Sequence, residues 1–457
     1  MNLTLKSLAL RTTAIISALA LFANCGPNNE NAGQDVGNDD PVVTEGAKSS
    51  KTFGYRVMLN DDPSTTATIG YSTTEAKSES VPGSSIPDKV LTQMNTKVYM
   101  DTKDKGTAYE TYSSTYAPTR IVEHKGMYNY FLQLKGLKPS TTYYFMVADG
   151  KGGVSRRLFF KTGADSNTTR LSIISGGDTR TNREPRQEGM KIVSKLRPDV
   201  VMFQGDHTTL NSSWEWERWL NDWQLTISVD GRVTPAIFTR GNHESSNKDL
   251  ENIFDTPKGV YYGVTFGRDL LRVYTLNSES PVTGDQTKWL GADLSANSHV
   301  RWKFAQYHSP IRPHTAGKKD ETAMYQSWAP LFYSGRMNVV AEADAHTVKI
   351  TWPVRPSASG DAGFVRDDAD GTVFIGEGTW GAPLRKNDNL KSWTRDSGRF
   401  NSFFWIFVDN TKTEMRSIVI ENPDAVAKVS DADRFAVPAG LNVWKAPNGQ
   451  VVTLKAR

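Results

Sequence analysis

Residues 200–207 read Val200-Val201-Met202-Phe203-Gln204-Gly205-Asp206-His207. Four consecutive apolar residues indicate a buried β-strand, and the glycine that follows lets the chain turn sharply off the strand. The same succession of apolar strand and polar loop occurs four more times between residues 171 and 346. Open α/β sheets place their ligands at the carboxyl ends of such strands. The pattern therefore predicts an α/β domain whose polar loops share one site.

The other four loops carry the same kinds of side chain as the loop after residue 203. Carboxylates, amides and imidazoles are ligands that divalent transition metals accept. Two such ions about 3.5–4 Å apart can activate water and clamp a phosphate group. The loops therefore predict a two-metal hydrolase site. They follow apolar residues 171–174, 235–238, 302–305 and 339–340, and they read Ser175-Gly176-Gly177-Asp178-Thr179-Arg180, Arg240-Gly241-Asn242-His243-Glu244, Tyr307-His308-Ser309-Pro310 and Glu342-Ala343-Asp344-Ala345-His346.

The order of the motifs, Gly-Asp, Gly-Asp, Gly-Asn-His-Glu, His and x-His, resembles the calcineurin-like metallophosphoesterases, and most closely the purple acid phosphatases. The resemblance covers residues 170–420 and is most specific in the Gly-Asn-His-Glu block. It implies a four-layer α/β (α-β-β-α) domain with two packed sheets. It also includes two further blocks, Asp285-Gln286-Thr287-Lys288-Trp289-Leu290 and Gly376-Glu377-Gly378-Thr379-Trp380-Gly381.

The resemblance implies a role for each site residue. His243 would face the phosphate and assist departure of the leaving group. The substrate would be a phosphate ester, and the cofactors would be two metal ions (Fe, Zn or Mn). The metal ligands would be Asp178 and His346 for the first ion, Asp206 as the bridge, and Asn242 and His308 for the second ion.

Three positions depart from the family pattern. Thr209 stands where purple acid phosphatases carry the tyrosine whose phenolate holds ferric iron. Asp344 replaces an imidazole ligand of the second ion, although a carboxylate can still bind that ion. Arg180 stands where many relatives carry a histidine, and it is interpreted either as gripping a phosphate oxygen or as pairing with a surface carboxylate. These departures leave the identity of the metals open.

Further aromatic and imidazole side chains follow the second and fourth motifs. His207 is a possible fourth ligand of the first ion. His314 resembles a histidine that relatives keep near the substrate, and the alternative is a solvated loop residue. Three tryptophans share one face of a predicted helix, which indicates packing on the sheet, and the alternative is a wall or lid beside the substrate. They are Trp216, Trp219 and Trp223.

The favoured reaction is hydrolysis of phosphate monoesters by a hydroxide that bridges the two metals. A phosphodiesterase or nucleotidase is the alternative enzyme, because the same metal core serves both and the pocket loops decide between them. A surface binding protein with a degenerate metal site is the alternative of a different class, and Thr209, Arg180 and Asp344 suggest it. The intact ligand residues argue against degeneration of the site.

The 457 residues exceed what one hydrophobic core usually fills. Residues 51–163 show short alternating runs, and residues 128–147 resemble the late strands and tyrosine corner of a fibronectin type III-like β-sandwich. A sandwich of this kind also precedes the catalytic domain in many purple acid phosphatases. The predicted catalytic domain spans 168–423, and residues 424–457 form a C-terminal extension without an assigned role.

Residues 1–24 are typical of an export signal, because Lys6 and Arg11 precede an apolar run that is too short to span a membrane. Cys25 is the only cysteine of the sequence and follows directly. This arrangement resembles a bacterial lipoprotein signal, in which the cysteine is acylated, and a simple secretory signal is the alternative. Residues 25–50 predict a disordered tether. The expected location is the periplasm or the cell surface, with a lipid anchor in the membrane.

The net charge of +4 is not concentrated in a basic block. Aromatic and basic residues do not alternate in any segment, so the sequence gives no footprint for nucleic acid. It sets no expectation for the oligomeric state.

Overall fold

The structure is a computed structural model that describes residues 50–79 and 88–457. The predicted export signal, Cys25 and nearly all of the predicted tether lie outside these residues, and the expectations for them stay predictions. Within the described residues, no helix has the length and apolar character needed to cross a membrane.

An N-terminal β-sandwich is built from alternating apolar strands. Strands β1, β2, β8 and β7 lie on one side, strands β10, β9, β5 and β6 lie on the other, and β3 pairs with β4. Because successive side chains of a strand point to opposite faces, every second residue enters the space between the sheets, where Ile69, Val98 and Phe145 are buried. The strands are β1 (Phe53–Met58), β2 (Ala67–Thr73), β3 (Ala76–Glu79), β4 (Asp88–Leu91), β5 (Lys97–Asp101), β6 (Ser114–Tyr116), β7 (Arg120–His124), β8 (Met127–Leu134), β9 (Thr142–Ala148) and β10 (Leu158–Lys161).

A tyrosine corner closes one end of this sandwich, in the segment where the sequence predicts it. The backbone N–H of Lys138 donates a hydrogen bond of 2.8 Å to the hydroxyl oxygen of Tyr143. Tyr143 is buried and stacks against Phe160, with 5.7 Å between the ring centroids. The contact ties the turn before β9 to the sandwich core.

Two sheets packed face to face form the centre of the catalytic domain. Their order is β25-β24-β23-β11-β12-β13 in the first sheet and β14-β15-β16-β17-β21-β18-β22 in the second. Ile173, Met202 and Phe304 are buried between them. The strands are β11 (Leu171–Gly176), β12 (Val200–Phe203), β13 (Pro235–Phe238), β14 (Tyr262–Phe266), β15 (Leu271–Thr275), β16 (Trp302–Gln306), β17 (Val339–Glu342), β18 (Val348–Thr351), β21 (Val373–Gly376), β22 (Thr394–Gly398), β23 (Ser402–Val408), β24 (Lys412–Val419) and β25 (Val452–Lys455), with a separate hairpin of β19 (Val354–Asp361) and β20 (Phe364–Arg366).

Helices cover the outer faces of both sheets. Helices α1 (Arg183–Leu196), α2 (Ser213–Trp223) and α3 (Asn247–Ile253) pack on the first sheet. Helices α4 (Asp285–Ala296) and α5 (Thr322–Ser334) pack on the second. The predicted four-layer α-β-β-α architecture is therefore confirmed.

The tryptophans of α2 belong to the core of the first sheet, as one of the two interpretations expects. All three are buried: Trp219 and Trp223 pack against Phe203, and Trp216 packs against Trp219 and Phe254. Trp214, one residue into the helix, points away and is 53% exposed. The helix therefore anchors the loop before it, which carries Asp206, to the sheet.

One hydrogen-bonded sheet joins the sandwich to the catalytic domain. Strand β1 runs parallel to β13, with Met58 opposite Ala236, and the N–H of Leu59 donates to the carbonyl of Ala236 over 3.1 Å. At the opposite edge, β25 of the C-terminal extension pairs with β24. The ten strands thus form one sheet. The proposed domain boundaries stay predictions.

Candidate metal centre

The predicted site residues lie at the carboxyl ends of parallel strands. Strands β11, β12 and β13 are parallel neighbours in the first sheet, and β16 and β17 are parallel neighbours in the second. Parallel strands end at the same edge of a sheet, so the loops that follow them meet. The loops bring together Asp178 after β11, Asp206 after β12, Asn242 after β13, His308 after β16, and Asp344 and His346 after β17.

The donor atoms of these side chains lie within contact distance of one another. Single donor atoms of Asp178, Asp206 and His308 all lie within 4.8 Å. Nε2 of His308 lies 3.0 Å from Oδ1 of Asn242 and 3.3 Å from Oδ1 of Asp206. Nε2 of His346 lies 3.0 Å from Oδ1 of Asp178. The cluster therefore combines carboxylate, amide and imidazole donors around one centre.

Asp344 completes the cluster from the second sheet. Its Oδ1 lies 3.8 Å from Nε2 of His308, and its backbone N–H donates to Oδ2 of Asp178 over 2.9 Å. The Nζ of Lys318 lies 2.5 Å from the same Oδ1, and the Lys318 side chain is 28% exposed. Asp344 therefore stands where the resemblance expects an imidazole, and it offers an oxygen donor there.

The cluster is buried except on the side of Asn242, which is exposed. Burial raises the pKa of Asp178, although the charges of His308 and His346 oppose that shift. Burial also disfavours the imidazolium of His308, but the carboxylates of Asp206 and Asp178 outweigh it and raise its pKa well above the ordinary value. In the absence of a metal, the imidazole of His308 therefore favours its protonated form, and a metal must displace that proton to bind there.

The backbone at four of the donor residues is left-handed. Such a conformation costs about 1–3 kcal/mol for a residue with a Cβ, and residues that adopt it cluster at functional sites. The loops therefore hold these side chains at an energetic cost that a plain turn would not require. The values of φ are 59° at Asp178, 56° at Asp206, 64° at Asp344 and 55° at His346.

Glu244, the last residue of the Gly-Asn-His-Glu motif, fastens two of the loops together. It is fully buried, and its Oε2 accepts hydrogen bonds from the backbone N–H of Asp206 (3.1 Å) and of Gly241 (2.7 Å). Its Oε1 accepts from the N–H of His207 over 2.9 Å. The glutamate therefore positions the β12 and β13 loops and does not itself bind in the centre.

A buried ion network supports the loops of the second sheet. The Nζ of Lys349 lies 2.5 Å from Oε2 of Glu342 and 2.6 Å from Oε1 of Glu377. The backbone N–H of His346 donates to the carbonyl of Glu377 over 2.6 Å. The sequence analysis did not predict this network. The sequence feature that indicates it is Lys349, a single lysine inside the apolar strand β18, Val348–Thr351.

The structure does not bring His207 into the cluster. Its ring lies among aromatic rings on the helix-covered face of the first sheet, 4.5 Å from Phe203, 4.8 Å from Trp219 and 5.0 Å from Phe254. Its Nδ1 lies 3.2 Å from Oε1 of Glu244, and its Nε2 has no hydrogen-bond partner among the described residues. The expectation of a fourth ligand for the first ion is corrected by this placement, because the imidazole points into the core.

His314 is neither a solvated loop residue nor a residue at the open side of the centre. It is fully buried, its Nε2 lies 2.7 Å from the hydroxyl oxygen of Thr394, and its ring packs against Trp393. Burial, with the nearby charge of Lys349, lowers its pKa well below the ordinary value. The imidazole is therefore neutral and forms part of the packing beneath the second sheet's loops.

His243 lies on the open side of the cluster, with 26% of its side chain exposed. Its Nδ1 lies 2.6 Å from the carbonyl oxygen of Thr209. Because a carbonyl only accepts hydrogen bonds, Nδ1 carries a proton and Nε2 points toward the centre, 3.9 Å from Oδ2 of Asp206. Thr209 therefore orients the imidazole through its backbone.

Arg180 reaches into the cluster from the β11 loop. Its Nε donates to Oδ2 of Asp206 over 3.0 Å, and its Nη2 lies 3.3 Å from Nε2 of His346. The side chain is 12% exposed. The sequence leaves open a phosphate oxygen or a surface carboxylate as its partner, and the observed partner is the buried carboxylate of Asp206.

Two family models match the chain, Purple acid Phosphatase, N-terminal domain, over residues 53–162 and Calcineurin-like phosphoesterase over residues 177–347. The second range contains the whole metal-ligand cluster. The chain therefore contains a domain that matches the calcineurin-like phosphoesterases, a family of hydrolases. The domain that precedes the catalytic domain makes it purple acid phosphatase-like within that family.

Individual proteins are also similar to the chain. The chain is 22% identical to purple acid phosphatase 15 of Arabidopsis thaliana over 313 residues, which cover 56% of each protein. It therefore spans about half the length of this curated relative. Its fold is similar to that of purple acid phosphatase PPD1 from yellow lupin (Lupinus luteus) seeds, with a TM-score of 0.65, 12% identity and coverage of 89% of this chain and 74% of that one. A structure of PhoD is similar too, with a TM-score of 0.59, 11% identity and coverage of 89% and 92%.

The dimetal phosphoesterases imply two metal ions, and the donors fit the two positions unequally. At the second position, oxygen and imidazole donors suit a divalent transition metal; there the half-buried Lys318 ammonium contacts Asp344, and Arg180 contacts the shared Asp206. At the first position, the Arg180 guanidinium contacts two of the three donors. The second position comprises Asp206, Asn242, His308 and Asp344, and the first comprises Asp178, Asp206 and His346.

Proposed function

We propose that the protein hydrolyses phosphate monoesters in a metal-dependent reaction. The observation that carries this proposal is the convergence of six donor side chains at the strand ends of a calcineurin-like phosphoesterase domain. Similarity to proteins named as phosphatases supports the monoester as substrate. A bound divalent ion would lower the pKa of water and polarise the phosphoryl oxygens. Zn, Mn and Fe suit these donors.

His243 is the group of this chain that can move a proton to the leaving alcohol. Its Nδ1–H is held by the Thr209 carbonyl, so the second nitrogen, Nε2, faces the open side of the cluster. A proton on Nε2 can pass to the alcohol oxygen as the phosphorus–oxygen bond breaks. The backbone N–H of His243 donates to Oδ1 of Asp206 over 2.9 Å, which keeps the imidazole beside the centre.

His243→Ala is expected to lower kcat by about 10²–10⁴-fold, the usual contribution of a positioned general acid. Metal content should remain that of the wild type, because alanine keeps the backbone N–H that donates a hydrogen bond to Asp206. The loss should be smaller for a nitrophenyl ester than for an alkyl ester, since nitrophenolate leaves without a proton. Rates on both esters and the metal content of the purified variant check this.

The control for that variant is His299→Ala, which removes an exposed imidazole at the far end of α4. It should leave the rate and metal content unchanged. Loss of metal from His243→Ala would contradict the role of a proton donor and would make His243 a ligand.

A direct assay tests the proposed function. The purified protein is offered a chromogenic monoester and a chromogenic diester, with and without a chelator. We expect faster hydrolysis of the monoester, loss of activity with the chelator, and recovery on adding Zn, Mn or Fe ions. Faster hydrolysis of the diester would indicate a phosphodiesterase. Inactivity on both esters together with no bound metal would indicate a binding protein.

We also propose that the protein is exported and anchored through a lipid on Cys25. The support is the sequence of residues 1–25, in which a basic start and a short apolar run end at the single cysteine. Cys25→Ser should move the protein from the membrane fraction to the soluble exported fraction, because the acyl chains are then missing. Fractionation beside the wild type checks this. A variant that still sediments with membranes after a high-salt wash would contradict the lipid anchor.

A further inference from the structure

The guanidinium of Arg180 lies between two donors of the first metal position. Its Nε donates to Oδ2 of Asp206 over 3.0 Å, and its Nη2 lies 3.3 Å from Nε2 of His346. The Nδ1 of His346 lies 3.0 Å from the carbonyl oxygen of Pro383. Because that carbonyl only accepts, Nδ1 carries a proton, and in the neutral ring the lone pair of Nε2 faces the guanidinium. Arg180 thus contacts the atoms that would otherwise bind a cation.

The surroundings hold this cation in place. Asp206 and Asp178 are fully buried, and His346 is nearly so. Breaking a buried ion pair leaves an uncompensated charge, which is strongly unfavourable. A first metal ion would have to expel Arg180 from both contacts.

Lys318 differs from Arg180 in the strength of its attachment. It contacts one donor of the cluster, Asp344, and its side chain is more than twice as exposed as that of Arg180. An ammonium group on a flexible stem can swing into solvent. The contacts between Asp206, Asn242 and His308 at the second position involve no lysine.

We propose that the Arg180 guanidinium takes the place of the first metal ion and that the protein binds one metal ion, at the second position. The inference rests on the proposed function for the role of the site. The guanidinium supplies the positive charge that the first ion would supply. It also offers N–H donors that can point at a phosphoryl oxygen. The positive charge of the centre is thus divided between one ion and one side chain.

The number of bound ions tests this proposal directly. Metal-free protein is titrated with Mn²⁺ by calorimetry, and the bound metal is measured after removal of the excess. We expect one ion per chain for the wild type and two for Arg180→His, which restores an imidazole donor at the first position. The control Lys318→Met, which removes the half-buried ammonium beside Asp344, should still bind one ion.

Electron paramagnetic resonance gives a second readout that does not depend on activity. The Mn²⁺ of the wild type should show the hyperfine-resolved signal of an isolated ion. Arg180→His should show the signal of an exchange-coupled pair, because ions about 3.5–4 Å apart share ligands. If Arg180→His does not fold, Arg180→Gln decides, since it removes the charge and opens the same position. A second bound ion in Arg180→Gln supports the proposal.

Three results would overturn the proposal. The first is two ions on the wild type. The second is a single ion on a folded Arg180→His protein, or on Arg180→Gln where that variant decides. The third is the binding of a second ion by the control variant Lys318→Met. The assay of hydrolysis is read separately. A wild type that binds one ion and cleaves no phosphate ester would refute the proposed function and support this inference. A wild type that binds two ions and cleaves a phosphate ester would support the proposed function and refute this inference.

Discussion

Replacing Asp206 with asparagine is expected to abolish turnover and to release the bound metal. Oδ1 of Asp206 lies 3.3 Å from His308, and its Oδ2 accepts from Arg180. Burial alone would raise the pKa of Asp206, but the charges and hydrogen bonds of His308 and His243 hold it below the usual range. The group is therefore an anion at neutral pH. An amide keeps its shape but removes the charge that binds the metal and pairs with Arg180.

The measurement is the metal content of purified Asp206→Asn together with its initial rate on a phosphate monoester. Asp285→Asn is the matched control, because this carboxylate is 93% exposed and lies 3.9 Å from Lys288. The control should keep the rate and metal content of the wild type. Wild-type metal content in Asp206→Asn would contradict the assignment of Asp206 as a ligand.

Gly378→Ala is expected to disrupt the centre without changing any donor residue. Gly378 has a φ of +72°, and a Cβ built there would lie 1.8 Å from Oδ2 of Asp178 and 2.9 Å from the backbone nitrogen of Asp344. The methyl group would therefore push the Asp178 carboxylate away and break its hydrogen bond to Asp344. We expect metal affinity to fall by about 100-fold, the upper range for loss of an orienting partner, and turnover to be lost with it.

Gly136→Ala is the control that introduces the same backbone strain without a contact to Asp178. Gly136 has a similar φ of +68°, but its Cβ would meet no atom of the described residues within 4 Å. Both variants should lose comparable stability to the left-handed backbone, so only Gly378→Ala should lose metal affinity. Calorimetric titration with Mn²⁺ and thermal unfolding of both variants check this. Equal metal affinities in the two variants would contradict the close approach at Asp178.

The strands and the shared edge of the sheets could be predicted from local patterns. The apolar runs at 200–203 and 235–238 match β12 and β13 residue for residue. Glycine after each run marks the turn into a polar loop. The chain order of the motifs then placed the donors of five loops in one cluster, because parallel strands end together.

The direction of a loop side chain could not be predicted in this way. His207 directly follows Asp206, yet its ring packs among aromatic side chains while the Asp206 carboxylate joins the metal-ligand cluster. The left-handed backbone of Asp206 and the carboxylate of Glu244, 37 residues later, decide that direction. Neither is visible in the motif itself.

Partners from distant strands explain the other differences between sequence and structure. Lys349 of β18 pairs with glutamates from β17 and from the loop after β21. Arg180 of the first motif meets the carboxylate of the second and the imidazole of the fifth. Such contacts depend on which strands each sheet places side by side and, for Arg180 and His346, on how the two sheets pack, which no single stretch of sequence encodes.

Strand β1 of the sandwich pairs with β13 and thereby covers the edge that β13 would otherwise expose. Without β1, the backbone N–H and C=O groups on that side of Pro235–Phe238 would have no strand partner, directly before the loop of Asn242 and His243. An open edge of this kind is a template for pairing with a second molecule, and so for aggregation. A shortened catalytic domain would therefore have to keep residues 53–58 or receive another strand in their place.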